Sequence, residues 1–86
     1  MEWNLEFEPA AVVNLERLTK TVRDRVARKI RWLAVNLEQI VPEPLVADLS
    51  GYFKLRVGDY RIIYSIREVD KTIVIDKIGH RREIYN

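Results

Sequence analysis

The chain opens on an alternation of apolar and polar residues. Trp3, Leu5 and Phe7 flank Asn4 and Glu6, a pattern that predicts a half-buried strand. Pro9 then stands where a first helical residue belongs, and the period lengthens. A first helix is expected from Pro9 to about Leu18, with Val12, Leu15 and Leu18 inward and Val13 beside them. Thr19-Lys20-Thr21 interrupts the pattern, and Thr21 followed three residues later by Asp24 resembles a helix-starting cap. The second helix carries Val22, Val26, Ile30, Leu33 and Leu37 as one apolar stripe, at helical spacing. Arg23, Arg25, Arg28, Lys29 and Arg31 lie opposite. So short a break predicts an antiparallel helical hairpin. Residues 36–45 read as a loop, because Pro42-Glu43-Pro44 works against regular hydrogen bonding. Leu45 to Ser50 reads either as a short strand or as an extended lead-in.

The stretch GYFKLRVGDYRIIY, residues 51–64, reads as two strands joined at Gly58-Asp59. A glycine in the first central position suits a two-residue type II′ turn, where that φ is positive. The register follows: Val57 faces Tyr60, Arg56 faces Arg61, Leu55 faces Ile62, Lys54 faces Ile63 and Phe53 faces Tyr64. Alternation then gives a core face of Phe53, Leu55, Val57, Tyr60, Ile62 and Tyr64. The other face holds Tyr52, Lys54, Arg56, Arg61 and Ile63. Like charges directly opposite one another weaken a strand pair, so Arg56 against Arg61, with Lys54 one step along, favours an anion on that face. Phosphate is the natural candidate. The second strand should reach about Arg67, and Glu68 to Lys71 is a polar connection. TIVIDKI, Thr72 to Ile78, is a further β-branched strand, and Gly79 marks a bend. The fold class is α+β: an N-terminal strand, the helical hairpin, then a three- to four-stranded antiparallel meander. The first strand is expected to close against that meander. The helices should cover one sheet face and leave the basic face open.

Length and charge narrow the function. At 86 residues the expectation is one domain, 1–86, of modest intrinsic stability. The sequence holds no cysteine and one histidine, a poor set of zinc ligands, so no metal and no cofactor is expected. MEWNLEFEP is not a secretory signal and no segment reaches membrane-spanning length, which points to a cytoplasmic protein without a membrane partner. The net charge is only +2, yet residues 51–82 carry eight Lys/Arg against four acids, and residues 17–31 carry seven against Asp24 alone. The second of these blocks is read as a solvated helix face. Together the two blocks suit a polyanion or an acidic protein partner.

With these residues in view, the chain resembles the RelE/ParE toxin superfamily of type II toxin–antitoxin modules, and within it the RelE branch. The resemblance rests on the N-terminal strand, the helical hairpin, L-x-G-Y-F-K-L-R-V-G-D-Y-R-I-I-Y (Leu49 to Tyr64) and I-G-H-R-R-E-I-Y (Ile78 to Tyr85). It implies the RelE-like fold and a metal-free mRNA endoribonuclease that cuts in the ribosomal A site. It also implies a cognate antitoxin, and operator DNA bound only through the antitoxin complex. The family's working residues map onto Lys54, Arg61, Arg81 and Tyr85. The sequence departs from the pattern at Tyr52, where well-known members carry a second lysine. The C-terminal helix of some members also has no counterpart before Asn86.

The residue chemistry allows such a reaction. Attack by an RNA 2′-hydroxyl needs a base, cations on the non-bridging oxygens and an acid at the leaving 5′-oxygen. Lys54 is the candidate base, and Arg61, with Arg56, the stabiliser of developing negative charge. Arg81 is a second clamp, since a guanidinium is a poor proton donor. Tyr85 and Tyr52 are candidates to stack on or orient a base. His80 and Arg82 are candidate RNA contacts. The bland alternatives are plain: Arg56 and Arg82 as solvated side chains, His80 as an exposed polar residue, Tyr85 as a terminal anchor. Two other function classes compete. One is a ParE-like poison of DNA gyrase without nuclease chemistry. The other is a simple nucleic-acid-binding module, which predicts steeply salt-dependent binding of free RNA or DNA.

Overall fold

A computed structural model of the chain describes residues 2–45 and 51–84. Five strands form one sheet in the order β1-β5-β4-β3-β2. They are β1 (Asn4–Phe7), β2 (Glu43–Pro44), β3 (Tyr52–Val57), β4 (Tyr60–Arg67) and β5 (Thr72–His80). Strands β2 to β5 form an antiparallel meander, and β1 closes its far edge parallel to β5, Asn4 beside Thr72 and Phe7 beside Ile75. Expected closure of the first strand against the meander is therefore found, and the architecture is α+β.

Helices α1 (Pro9–Arg17) and α2 (Lys20–Asn36) supply the second layer. Pro9 begins α1, at the turn where its missing N–H goes unused. The inward residue of α1 is Ala11, with Leu15 and Leu18 packed beside it, whereas Val12 and Val13 are exposed. That corrects the expected inward Val12: the small alanine lets the helix approach the sheet. The cap of α2 is Thr19 rather than Thr21, its hydroxyl accepting the Val22 N–H at 3.4 Å. The stripe of α2 is as read, with Val26, Ile30 and Leu33 buried against Ile62, Tyr64, Ile73, Ile75 and Ile78. Each such side chain contributes about 1.5–3 kcal/mol of burial.

The hairpin register matches the sequence reading residue for residue, Val57 opposite Tyr60 and Arg56 opposite Arg61. Gly58 has φ +57° while Asp59 keeps a negative φ, the arrangement of a type II′ turn. Two features differ from expectation. Glu43-Pro44, read as loop, is the edge strand β2, with Glu43 beside Lys54 and Pro44 beside Phe53. An edge strand bonds on one side only, so it tolerates proline. The far face of the sheet is also not simply open. Leu45, Ile63 and Ile84 bury one another there, with Tyr52 packed against them. Gly79 permits this, because a Cβ on it would stand 3.2 Å from Ile84 side-chain carbons and 3.3 Å from Glu83 Oε1. Of the stretch Leu45 to Ser50, only Leu45 lies within the described residues.

Candidate active site

Alternation along the hairpin delivers Tyr52, Lys54 and Arg56 from β3, and Arg61 from β4, to the face away from the helices. On that face lies a residue the sequence reading passed over. Glu43 on β2 sits beside Lys54 in the ladder, its Oε2 3.5 Å from Lys54 Nζ and 3.6 Å from Arg56 Nη2. One carboxylate thus spans two of the candidate cations. The expected relief of like-charge repulsion comes, in the isolated chain, from a residue of its own. The clue in the sequence was an acid between two prolines, one short connection ahead of the basic strand.

The four cations are held differently. The Lys54 side chain is only 10% exposed, with the Glu43 carboxylate beside it. Arg56 reaches outward, with 62% of its side chain exposed. Arg61 is the unusual one. It is 8% exposed, its Nη1 donates to the Gly58 and Tyr60 carbonyls at 3.3 and 3.2 Å, and its buried Nε has no hydrogen-bond partner among the described residues. Most buried polar atoms find partners, so one that does not asks for an explanation. Composition alone would have put Arg61 on the surface.

Arg81 joins Arg61 through the hairpin turn. Its backbone N–H donates to the Asp59 carbonyl at 2.7 Å, and its Nε lies 3.8 Å from Asp59 Oδ1. Arg61 and Arg81 therefore bond to consecutive carbonyls of the turn, those of Gly58 and Asp59. The Arg81 side chain is 61% exposed and, among the described residues, held by that one long ion pair, so its charge is available to a ligand. Arg82 is exposed, and its N–H donates to His80 Nδ1 at 3.2 Å. His80 pairs with Tyr60, one register step from Arg61, and so faces the α1 side. There its ring stands edge-on to Tyr60 at 5.5 Å and lines a recess with Asn14 and Arg17. The structure thus gathers Lys54, Arg56, Arg61 and Arg81 around one end of the hairpin and sets His80 apart from them. Tyr85 lies outside the described residues.

This fold and this basic hairpin coincide with a known class. The family model described as the ParE toxin of the type II toxin–antitoxin system parDE matches residues 5–85. The chain belongs to that family, within the RelE/ParE toxin superfamily. It is 42% identical over 45 residues to the toxin RelG of Mycobacterium tuberculosis, a match that spans about half the length of each protein (52% of both). Among solved structures it superposes on the toxin–antitoxin complex RelBE2 of the same organism with TM-score 0.84 and 28% identity, covering 94% of this chain and 93% of that one. It also superposes on the isolated RelE toxin of E. coli with TM-score 0.75 and 17% identity, covering 91% and 83%. The second likeness concerns the fold alone.

Proposed function

We propose that this chain is the toxin of a toxin–antitoxin pair that acts as a ribosome-dependent, metal-free mRNA endoribonuclease. The observation that carries this reading is Arg61, a guanidinium with a buried unpartnered N–H, set among Lys54, Arg56 and Arg81 on one end of the hairpin. A phosphodiester in that position meets cations from three sides, which is what the doubly charged phosphorane requires. Lys54, in its neutral form, takes the 2′-hydroxyl proton, and Glu43, 3.5 Å from it, stabilises the ammonium so formed. Arg61 and Arg56 stabilise the non-bridging oxygens, and Arg81 offsets the negative charge on the leaving 5′-oxygen, which takes its proton from water. Tyr85 orients the adjoining base. The ribosome supplies the alignment that so sparse a site lacks.

The partner inferred from this surface is an antitoxin with an acidic, amphipathic segment, which covers Arg56, Arg61 and Arg81 and adds apolar burial to a small domain. Operator DNA is reached through that complex, and the site of action is the cytoplasm. Primer extension on ribosomes programmed with a defined A-site codon tests the activity. Wild type should cut within the codon, and Arg61→Ala and Arg81→Ala should each lose at least about tenfold. The family model's own description as ParE favours a second reading, poisoning of DNA gyrase. Inhibition of gyrase supercoiling, with no cut on ribosomes, would establish that reading in its place.

A further inference from the structure

Strand β5 contains a bulge. Ile63 pairs with Lys77 and Tyr64 with Ile75, so Asp76 has no counterpart across the ladder. The apolar spacing records the extra residue: Ile73 and Ile75 are two apart, and Ile78 follows three later. Bulges re-aim side chains, and they concentrate beside active sites. Here both Asp76 and Lys77 border a cavity of about 230 Å³ on the face away from the helices, walled by Leu45, Tyr52, Ile63 and Ile84. Glu83 closes one side, with its Oε1 already accepting the His80 N–H at 3.0 Å. Asp76 is half-buried, and no hydrogen bond or ion pair engages its carboxylate among the described residues. The cavity adjoins the cationic site directly. Ile63 is the ladder partner of Lys54 and lies two residues beyond Arg61, and Tyr52 lies two residues before Lys54, all on one face.

We propose that this cavity receives a nucleobase, guanine in preference, next to the phosphate held by Lys54 and Arg61, and that Asp76 selects it. The inference rests on the reading of this site as one that binds RNA. Apolar walls with one aromatic residue suit a planar ring, and the neighbouring cations suit the phosphate of the same strand. A carboxylate offers acceptors only. Guanine alone among the four bases presents two adjacent N–H donors, N1–H and N2–H, on its pairing edge. Those match the two oxygens of a carboxylate as an arginine fork does. Uracil offers a single N3–H between two carbonyls, so one carbonyl would be set against the second oxygen of Asp76. An apolar peptide segment would cover the carboxylate without satisfying it, which is costly.

Methyl NMR on the chain alone tests this, reading the Ile63 and Ile84 signals during titration with guanosine 5′-monophosphate, uridine 5′-monophosphate or inorganic phosphate. The guanine nucleotide should shift both methyls and bind at least about tenfold more tightly than the uridine nucleotide. Phosphate alone should leave both methyls in place. Asp76→Asn should shrink the preference to less than about threefold. Equal affinities in the wild type, silent Ile63 and Ile84 methyls, or a preference untouched by Asp76→Asn would each overturn the proposal. Because no ribosome enters the measurement, a chain that selects guanine in this assay yet cuts nothing on ribosomes refutes the nuclease reading alone.

Discussion

Arg61 and Arg67 stand on the same strand, on the same face, six residues apart, and the protein treats them in opposite ways. Arg67 is saturated. Its Nε donates to Asp70 Oδ1 at 2.9 Å and its Nη2 to Glu6 Oε1 at 3.0 Å and Asp70 Oδ2 at 2.9 Å. The Asp70 and Glu6 carboxylates hold its guanidinium still more firmly protonated, and the hydrogen bond from Arg67 keeps Asp70 below the usual carboxylate range. Arg61 is more deeply buried and far less well served: among the described residues it has two carbonyls, no carboxylate, and a buried Nε–H without a partner. Arg67 fastens β1 to the far end of β4. Arg61 keeps a charge in reserve. A hydrogen-bond inventory thus separates a structural arginine from one waiting for a ligand, where burial alone would have ranked them the other way.

Breaking this contrast should produce graded effects. The largest is expected from Arg61→Ala, which should reduce A-site cleavage by about a hundredfold, or roughly 2.7 kcal/mol of transition-state stabilisation. Single-turnover cleavage on programmed ribosomes checks it. Glu43→Gln should follow at about tenfold. The loss should fall in the cleavage rate and not in ribosome affinity, because the carboxylate positions Lys54 and competes with RNA phosphate for Arg56. An affinity loss with an unchanged rate would place Glu43 in binding instead. Gly79→Ala forces a methyl into the 3.2 Å gap beneath Ile84. Overpacking of this kind costs about 1–3 kcal/mol, read by urea denaturation. Since Ile84 belongs to the turn that carries Arg81, cleavage should fall as well.

Tyr64 sharpens the comparison from the core side. Its hydroxyl is buried with no hydrogen-bond partner among the described residues, and burial pushes its phenol up to about 12. The ordinary value is near 10. Between those two pH values the unfolded chain loses the proton and the native chain keeps it. The stabilising component is therefore whole below about pH 10 and is lost as pH climbs through about 12. Tyr64→Phe should flatten that slope and leave stability at neutral pH equal or about 1 kcal/mol higher, with cleavage unchanged. A cleavage defect in Tyr64→Phe would show that this unpartnered hydroxyl serves the site as well. Arg67→Ala should likewise spare activity, cutting within about twofold of wild type while lowering the thermal midpoint.

How much of this was legible depended on whether the cause was local. The β3–β4 register follows from one glycine and strict alternation, so every pair from Phe53–Tyr64 to Val57–Tyr60 could be written down from sequence. The second helix was legible because Val26, Ile30 and Leu33 repeat at one period. The stretch Glu43-Pro44 was not, because proline speaks against a strand in general and only its position at the sheet edge makes it acceptable. Arg61 could be named as a candidate, but its burial could not, since that depends on how the turn carbonyls of Gly58 and Tyr60 wrap the guanidinium. The bulge at Asp76 left a trace in the isoleucine spacing, yet a β-branched run reads as strand whatever its phase. Tyr52 and His80 show the limit of face assignment. The first borders the apolar cavity beside Lys54, and the second turns to α1.

The parallel pairing of β1 with β5 bears on how the protein is born. Residues 4–7 cannot take their place until residues 72–75 exist beside them. About seventy residues separate the partners, and pairings so distant in sequence form late and slowly. For a protein proposed to attack ribosomes, this order of assembly has a use. Until residues 72–75 have emerged the nascent chain lacks a finished sheet, and that interval before closure is open to a partner already waiting.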